Sequence, residues 1–338
     1  EVIDEAQYIK NAGTKGARAV KSVSAQMKLA LTGTPVENRL SELWSIFDYL
    51  MPGFLYSYEH FKKNFEMPIM KKENEDAMAD LQKMIRPFIL RRLKKEVLSD
   101  LPDKIEKCVT IPLEGEQKKL YDAHVQRLKF MLENEEFANI RMQVLAELTR
   151  LRQLCCDPAL IYQDYQEGAA KMELCMELLN NAVNGGHKVL LFSQFTSMLG
   201  ILEKRMEEAG IGYYSLTGST PKKERMELME KFNRDATPVF CISLKAGGTG
   251  LNLTGADVVI HYDPWWNVAA ENQATDRAHR IGQKRVVTVY KLVAEHTIEE
   301  KVVELQQKKK ELADQVLSGE EMGSILFDRE ELLKLFQN

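Results

Sequence analysis

The chain has 338 residues, of which 44% are apolar and 28% charged, and its formal net charge is −4. This is a globular composition, long enough for two domains with separate cores; its slight acidity means that any nucleic-acid partner has to be argued from local sites. The longest apolar stretches, around VLLF (189–192) and DVVIHY (257–262), are strand-sized and far short of the ~20 residues a membrane span needs. The first stretch, EVIDEAQYIKN (1–11), runs Val2 and Ile3 into Asp4 and Glu5. A buried strand that delivers acids to the C-terminal edge of an open α/β sheet reads this way. Such a pair either holds Mg²⁺ and orients a water or caps the next helix, and without other context the cap is the commoner role.

MKLALTGTPVEN (27–38) gives a strand at 27–31 and then a helix start, with Thr34 as N-cap, Pro35 at the first helical position and Glu37 placed for a capping box. Leu40, Leu43, Trp44, Phe47, Leu50 and Met51 follow at helical spacing and predict one buried face. Residues 58–86 are helical but polar. RPFILRRLKKEVLSDLP (86–102) reads as a hinge: Phe88, Ile89 and Leu90 anchor its start and a proline ends it. Its basic run, Arg91, Arg92, Lys94 and Lys95, is either a solvated face or a gate that binds the neighbouring domain. Two helical patterns occupy 114–155, with Leu120, Tyr121, His124, Val125 and Leu128 in the first, and 157–170 is the loop out of them.

From 170 onward strands alternate with helices. Strands are expected at 188–195, 213–217, 238–244, 257–263 and 285–293. Helices are expected at 171–184, from Pro221, over 268–281 and in a long final segment. That rhythm predicts a parallel, doubly wound sheet. SLKAGGTGLN (243–252) places Gly247, Gly248 and Gly250 where backbone N–H groups approach a phosphate, although most such loops are only tight turns. In AAENQATDRAHRIGQ (269–283), Gln273, Arg277 and Arg280 stand at i, i+4 and i+7, one polar stripe if the helix is continuous. LFDREELLKLF (326–336) is amphipathic. The cysteines at 108, 155, 156, 175 and 241 include no CxxC, which favours free or buried thiols over zinc.

Taken in order, DEAQ (4–7), LTGTPVEN (31–38), VLLFSQF (189–195), LTGST (216–220), SLKAGGTGLNLTGADVVIHYDPWWN (243–267) and QATDRAHRIGQ (273–283) resemble the serial motifs of the Swi/Snf-type ATPases of the second helicase superfamily. The resemblance covers about residues 1–310 and rests most on DRAHRIGQ after GGTGLNL. It implies an α/β fold: a complete second RecA-like lobe (169–310), a truncated first lobe (1–105), a helical insertion (106–168) and a C-terminal helical extension (311–338). The family's phosphate loop contains a Gly-Lys pair, which this sequence lacks, so that loop is expected upstream of residue 1.

What the resemblance implies residue by residue is an ATP- and Mg²⁺-dependent motor. Asp4 would hold Mg²⁺, Glu5 would orient or deprotonate the attacking water, and Arg280 with Arg277 would serve as arginine fingers. Gln273, Gly250 and Asn252 would line the nucleotide side. Thr32, Asn38, Gln194, Gly218, Lys245, Gly247 and Trp266 would contact double-stranded DNA through its backbone. A DNA-bound protein to be displaced is a further expected partner; a membrane is not. The expected location is cytoplasmic and nucleoid-associated for the favoured bacterial member, or nuclear for a eukaryotic one. Two departures stand out: Gln7 replaces the family's histidine and is expected to bridge the lobes, and DPWWNV carries Val268 and a second tryptophan, Trp265. Either tryptophan could equally be a core residue of its loop. The alternatives are a non-catalytic DNA- or protein-binding module and, less favoured, an RNA helicase of the same superfamily.

Overall fold

The structure is a computed structural model, and it describes residues 1–33, 40–72, 74–92, 94–98, 100–244, 246 and 250–307. The expected helix start at Thr34, Pro35 and Glu37 and the segment 326–336 lie outside the described residues. Two compact units divide between Arg91 and Arg92.

In the first unit, β1 (Val2–Ile3) and β2 (Leu29–Ala30) form a parallel pair. Its faces are largely open, with Val2 59% exposed, where a buried strand was expected. The helix Leu40–Leu50 packs Leu40, Leu43 and Phe47 against Phe61, Ile69 and Leu81 of the helices that follow. Glu66, in a π-helical turn at Lys62–Glu66, accepts a hydrogen bond from the Ser41 backbone N–H (3.1 Å) and so serves a helix-start donor from outside the helix. Ser45 Oγ donates to the Ile9 carbonyl (2.7 Å), and Lys21 pairs with Asp48 (2.8 Å), tying the residues after β1 to this helix.

The second unit is a six-stranded, all-parallel sheet. Its strands are β3 (Lys104–Ile111), β4 (Val189–Ser193), β5 (Tyr213–Leu216), β6 (Val239–Ser243), β7 (Val258–His261) and β8 (Val287–Ala294), in the order β3-β8-β7-β4-β6-β5. Alternation along β4 supplies both cores. Val189 and Leu191 face the helices Ala170–Asn184 and Thr196–Glu208, while Leu190 and Phe192 face Phe232 and the residues after β7. Strands covered on both faces need no polar residues, which is why β4 and β6, buried throughout, read as apolar runs.

β3 corrects the sequence reading, which placed 104–105 at the end of the truncated first lobe and 106–111 in a helical insertion. KIEKCVTI is mostly exposed and carries three charges, so it lacks the apolar run of a central strand; it pairs with β8 along its whole length as an edge. Charges hold it there: Lys104 to Glu106 (2.6 Å), Glu106 to Lys291 of β8 (3.4 Å) and Lys291 to Glu271 of the helix Val268–Thr275 (2.8 Å). The helices Gly115–Asn134 and Phe137–Cys156 follow as expected, and His124 is buried between Glu147 and Tyr162 as a satisfied core histidine. All five cysteines are free; four are buried and Cys108 is exposed. Burial pushes the Cys175 thiol up to about 12 and those of Cys156 and Cys241 well above the ordinary value.

A fully buried ion pair lies inside this unit. Lys171 and Glu299 meet at 2.6 Å with both side chains fully buried, and the Lys171 ammonium also donates to the Tyr262 carbonyl (3.0 Å). Burial opposes the Lys171 charge, but the Glu299 carboxylate overrides it and holds its pKa above the ordinary value. Lys171→Met should cost about 3–5 kcal/mol in chemical denaturation, because it strands a buried carboxylate, and adding Glu299→Leu should restore most of the loss. An unchanged midpoint for the single variant would mean that the pair is dispensable.

Burial raises the Glu106 carboxyl, but Lys104 and Lys291 outweigh it and bring its pKa from 4.5 down to about 2. A carboxylate depressed by folding stabilises the folded state above its unfolded pKa and loses that contribution as pH falls through the folded one. Glu106→Gln should therefore lower the denaturation midpoint above pH 4.5 and make no difference below about 2. Equal midpoints across that window would show that the edge charges do not hold β3.

Candidate functional site

β1 ends in the acid pair. Asp4 is exposed, and its Oδ1 accepts from the Glu5 backbone N–H (2.9 Å). Glu5 has left-handed backbone angles (φ 54°, ψ 52°), rare for a residue with a side chain and characteristic of functional positions. Its side chain does not cap the 3₁₀ turn Ala6–Ile9, so the commoner reading of these acids fails at Glu5. Instead Gln7 Nε2 donates to Glu5 Oε2 (2.6 Å), and Thr32 Oγ1 donates to Gln7 Oε1 (2.9 Å). One amide thus links the acid after β1 to the loop after β2. Both of these Gln7 hydrogen bonds lie within the first unit. Asn38 lies outside the described residues.

In the second unit most of the expected residues follow strands at one edge of the sheet. Gln194 follows β4, Gly218 follows β5, Gly250 and Asn252 lie between β6 and β7, and Trp266 follows β7. Chain order reverses around β4, and at such a switch point the carboxyl ends of the strands open a crevice. Gly218 sits in a turn pinned by Arg225, whose Nη2 donates to the Thr217 (3.1 Å) and Gly218 (3.2 Å) carbonyls. Gly250 has φ +61°, a conformation that glycine adopts without strain. Asn252 is anchored by its backbone: its carbonyl accepts from Asn233 Nδ2 (2.8 Å). Lys245 and Gly247 lie outside the described residues, as does Gly248.

The basic stripe is not a helical face. The helix Val268–Thr275 stops six residues before the expected end, so Gln273 is helical while Arg277 and Arg280 lie in the turns beyond. Three carbonyls there serve other donors: Asp276 O accepts from Arg280 Nε (3.0 Å), Arg277 O from the Leu253 N–H (3.0 Å) and Ala278 O from Gln283 Nε2 (3.1 Å). The Arg277 and Ala278 N–H groups already turn to i−3 carbonyls, those of Ala274 and Thr275, so the i−4 ladder gives way to turns here. The two arginines consequently differ. Arg277 is only 2% exposed, among the largest buried side chains of the chain. Arg280 is half-buried, and its Nε bond to Asp276 O leaves both Nη groups for another acceptor.

Several residues without an assigned role shape this edge. Gln283, 7% exposed, donates to the Thr254, Ala256 and Ala278 carbonyls and accepts from the Lys284 and Arg285 N–H groups. His261 Nε2 meets Thr275 Oγ1 (2.8 Å), and burial lowers the histidine's pKa. From the basic hinge, Lys94 pairs with Asp276 (2.7 Å) and donates to the His279 carbonyl (3.3 Å), while His279 Nε2 donates to the Pro102 carbonyl (2.7 Å). The side chain of Lys95 lies outside the described residues. The tryptophans part company: Trp265 packs on the sheet core, and Trp266 packs on the helical pair 115–156. A cavity of about 560 Å³ lies at the opposite edge, lined by His187, Asp257 and Arg285, where Asp257 Oδ2 already bonds both His187 Nδ1 (2.8 Å) and Arg285 Nη1 (3.1 Å). Among the described residues no group of three or more His, Cys, Asp or Glu could hold a metal, and no helix is long and apolar enough to cross a membrane.

Comparison with known proteins places these motifs. The SNF2-related domain matches residues 1–160 and the helicase conserved C-terminal domain matches 170–282. An ATP-dependent helicase of Mycoplasma pneumoniae, described as uncharacterized, is 41% identical over 99% of this chain and 32% of that protein. The Saccharomyces cerevisiae TATA-binding protein-associated factor MOT1 is 36% identical over 99% of this chain and 21% of that protein. The chain thus spans at most about a third of these two relatives. Among solved structures, the Sulfolobus solfataricus SWI2/SNF2 ATPase core in complex with dsDNA is 40% identical over 94% of this chain and 68% of that one, with a TM-score of 0.56. The C-terminal domain of that ATPase is 32% identical over 70% of this chain and 99% of its own length, with a TM-score of 0.57.

The unequal burial of the two arginines can be measured directly. Arg277→Ala leaves the partners of a buried guanidinium unserved and should cost at least about 1–3 kcal/mol of stability. Arg280→Ala should stay within about 0.5 kcal/mol of the wild type, as for a surface position. Equal denaturation midpoints for the two variants would contradict the assignment.

Proposed function

The chain belongs to the SNF2-related family, and on that premise we propose that it forms part of an ATP-driven motor that tracks along double-stranded DNA and remodels protein–DNA complexes. The observation that carries the reading is the Glu5–Gln7–Thr32 hydrogen-bond chain at the end of β1. It holds a carboxylate in a fixed position at a strand's carboxyl end, beside an exposed Asp4. A pair of that kind suits Mg²⁺·ATP, with Asp4 to hold the ion and Glu5, already oriented, to align or deprotonate a water. When bound, Mg²⁺·ATP supplies the phosphoryl group and the metal charge that offsets it.

Arg280 is the finger in this reading, since its Nη groups are uncommitted while Arg277 is packed inside. Gln273, Gly250 and Asn252 serve the nucleotide, and Thr32, Gln194, Gly218 and Trp266, with Asn38, Lys245 and Gly247, serve the DNA backbone. Residues 1–105 are the first-lobe part, 106–168 the insertion, 169–310 the second lobe and 311–338 an extension. A phosphate loop is required for turnover and the sequence contains no Gly-Lys pair, so the 338 residues alone should hydrolyse little ATP. A protein bound to the DNA is what the motor would displace.

The test is ATP hydrolysis by the full-length protein and by this chain, each with and without duplex DNA. Turnover is expected in the full-length protein, accelerated by DNA, and close to none in this chain. Arg280→Ala should lower that turnover by roughly 10³-fold or more while DNA binding persists and stays steeply salt-dependent. Wild-type turnover by Arg280→Ala would favour a binding module over a motor, and robust hydrolysis by this chain would remove the requirement for a further phosphate loop.

A further inference from the structure

Arg152 belongs to none of the motifs above. It projects from the helix Phe137–Cys156, is 5% exposed, and touches two loops at the carboxyl edge of the second sheet. Its Nη2 donates to the Pro264 carbonyl (2.5 Å) and lies 3.7 Å from Asp263 Oδ2. Its guanidinium carbon lies 5.8 Å from the centre of the Phe195 ring and 5.6 Å from that of Trp266. Asp263, 2% exposed, in turn accepts from Ser193 Oγ (2.6 Å) and from the Gln194 backbone N–H (3.3 Å). One buried cation therefore fixes the loop after β4, through Phe195 and Asp263, and the loop after β7, through Pro264 and Trp266.

Those loops carry Gln194 and Trp266. The Gln194 side-chain amide nitrogen is buried and has no hydrogen-bond partner among the described residues. Its backbone is pinned by Asp263 while its side-chain donor has no partner among the described residues, and a buried donor left unpaired in this way calls for an acceptor from outside the chain. Only arginine can fill the role of Arg152: a planar guanidinium presents faces to aromatic rings and edge N–H groups to a carbonyl at once, whereas an ammonium is a point charge.

We propose that Arg152 is a positioning residue for DNA engagement: it holds Gln194 and Trp266 in their gripping geometry and acts through them. The proposal rests on the motor reading above and makes the helical pair 115–156 a support for the DNA track. A misplacement of about 1 Å in such a group can cost up to about 10²-fold.

The experiment is ATP hydrolysis by the full-length protein, titrated with a blunt DNA duplex, for wild type, Arg152→Lys, Arg152→Ala, Gln194→Ala and the Arg152→Ala/Gln194→Ala pair. Arg152→Lys and Arg152→Ala should both raise the half-saturating DNA concentration by roughly tenfold or more, with DNA-independent hydrolysis near wild type; the melting temperature should stay near wild type in Arg152→Lys and fall in Arg152→Ala, which leaves the buried Asp263 without its cation. Arg152→Lys keeps the charge and the volume, so it remains informative if Arg152→Ala does not fold. Because Arg152 acts through Gln194, the double variant should be little worse than the worse single one, a non-additivity that a general loss of stability would not produce. An unchanged half-saturating concentration in Arg152→Lys overturns the proposal. So does a parallel fall in DNA-independent and DNA-stimulated rates, or full additivity in the double variant. Failure of the motor reading itself is read separately, from a wild type that DNA does not stimulate.

Discussion

The Lys171–Glu299 pair is the constraint around which the carboxyl edge of the second sheet is organised. Lys171 begins the helix Ala170–Asn184, and its ammonium binds both Glu299 and the Tyr262 carbonyl just past β7. The other Glu299 oxygen accepts from the Ala294 N–H, at the last residue of β8 (2.9 Å). Tyr262 returns its hydroxyl to the Cys156 carbonyl (3.0 Å), and Tyr121 receives the Ile298 N–H (2.7 Å). Two strand ends, three helices and the segment after β8 are thus joined by buried polar bonds. Desolvating two charges offsets most of their attraction, so the benefit of such a pair lies in specificity more than in net stability. An apolar cluster in its place would tolerate several registers of helix against sheet; these bonds accept one.

A second constraint is the competition for backbone carbonyls beyond Thr275. A helix is maintained by its own acceptors, and here three successive ones are claimed by Arg280, by Leu253 and by Gln283. The chain leaves the helix with its bonding intact rather than broken. What it gains is two arginines one turn apart in different environments, one locked inside and one half-buried, whose Nη groups have no partner among the described residues. Lys94 adds to this by neutralising Asp276 on the same turn, so the hinge contributes charge to the place where the candidate finger sits.

The parallel sheet was legible from composition alone, because strands buried on both faces must be apolar, as in VLLFS and VFCIS. β3 was not, because an exposed edge strand is built from charges and its only advertisement is the partner strand, whose register sequence does not show. The acid pair, Gln273 and Arg280 were legible as residue types at strand and helix ends. Arg152, Lys171 and Glu299 were present as ordinary polar residues, and nothing local marks a side chain whose partner lies 112 or 128 residues away; Gln283 is bound to nearer carbonyls, at Thr254, Ala256 and Ala278, that only the folded turn brings to it. The end of the helix at Thr275 was illegible for the same reason: Ala278 and Arg277 favour helix, and the donors that take their carbonyls come from the turn beyond and from a distant loop.

Gln7 shows how a departure from a family pattern can alter mechanism without removing it. An amide carries a donor and an acceptor at once and does not titrate, so the direction of the chain is fixed: Thr32 donates to Gln7, and Gln7 donates to Glu5. A histidine in that position could serve both neighbours only in one neutral tautomer, and on protonation it would become a donor on both sides. The Thr32 hydroxyl would then have to reverse from donor to acceptor near the pH at which histidine charges. Glutamine removes that reversal. The link between Glu5 and the loop after β2 therefore keeps one polarity across the range where a histidine would switch, and whatever couples those two loops in this protein is insensitive to a proton at residue 7.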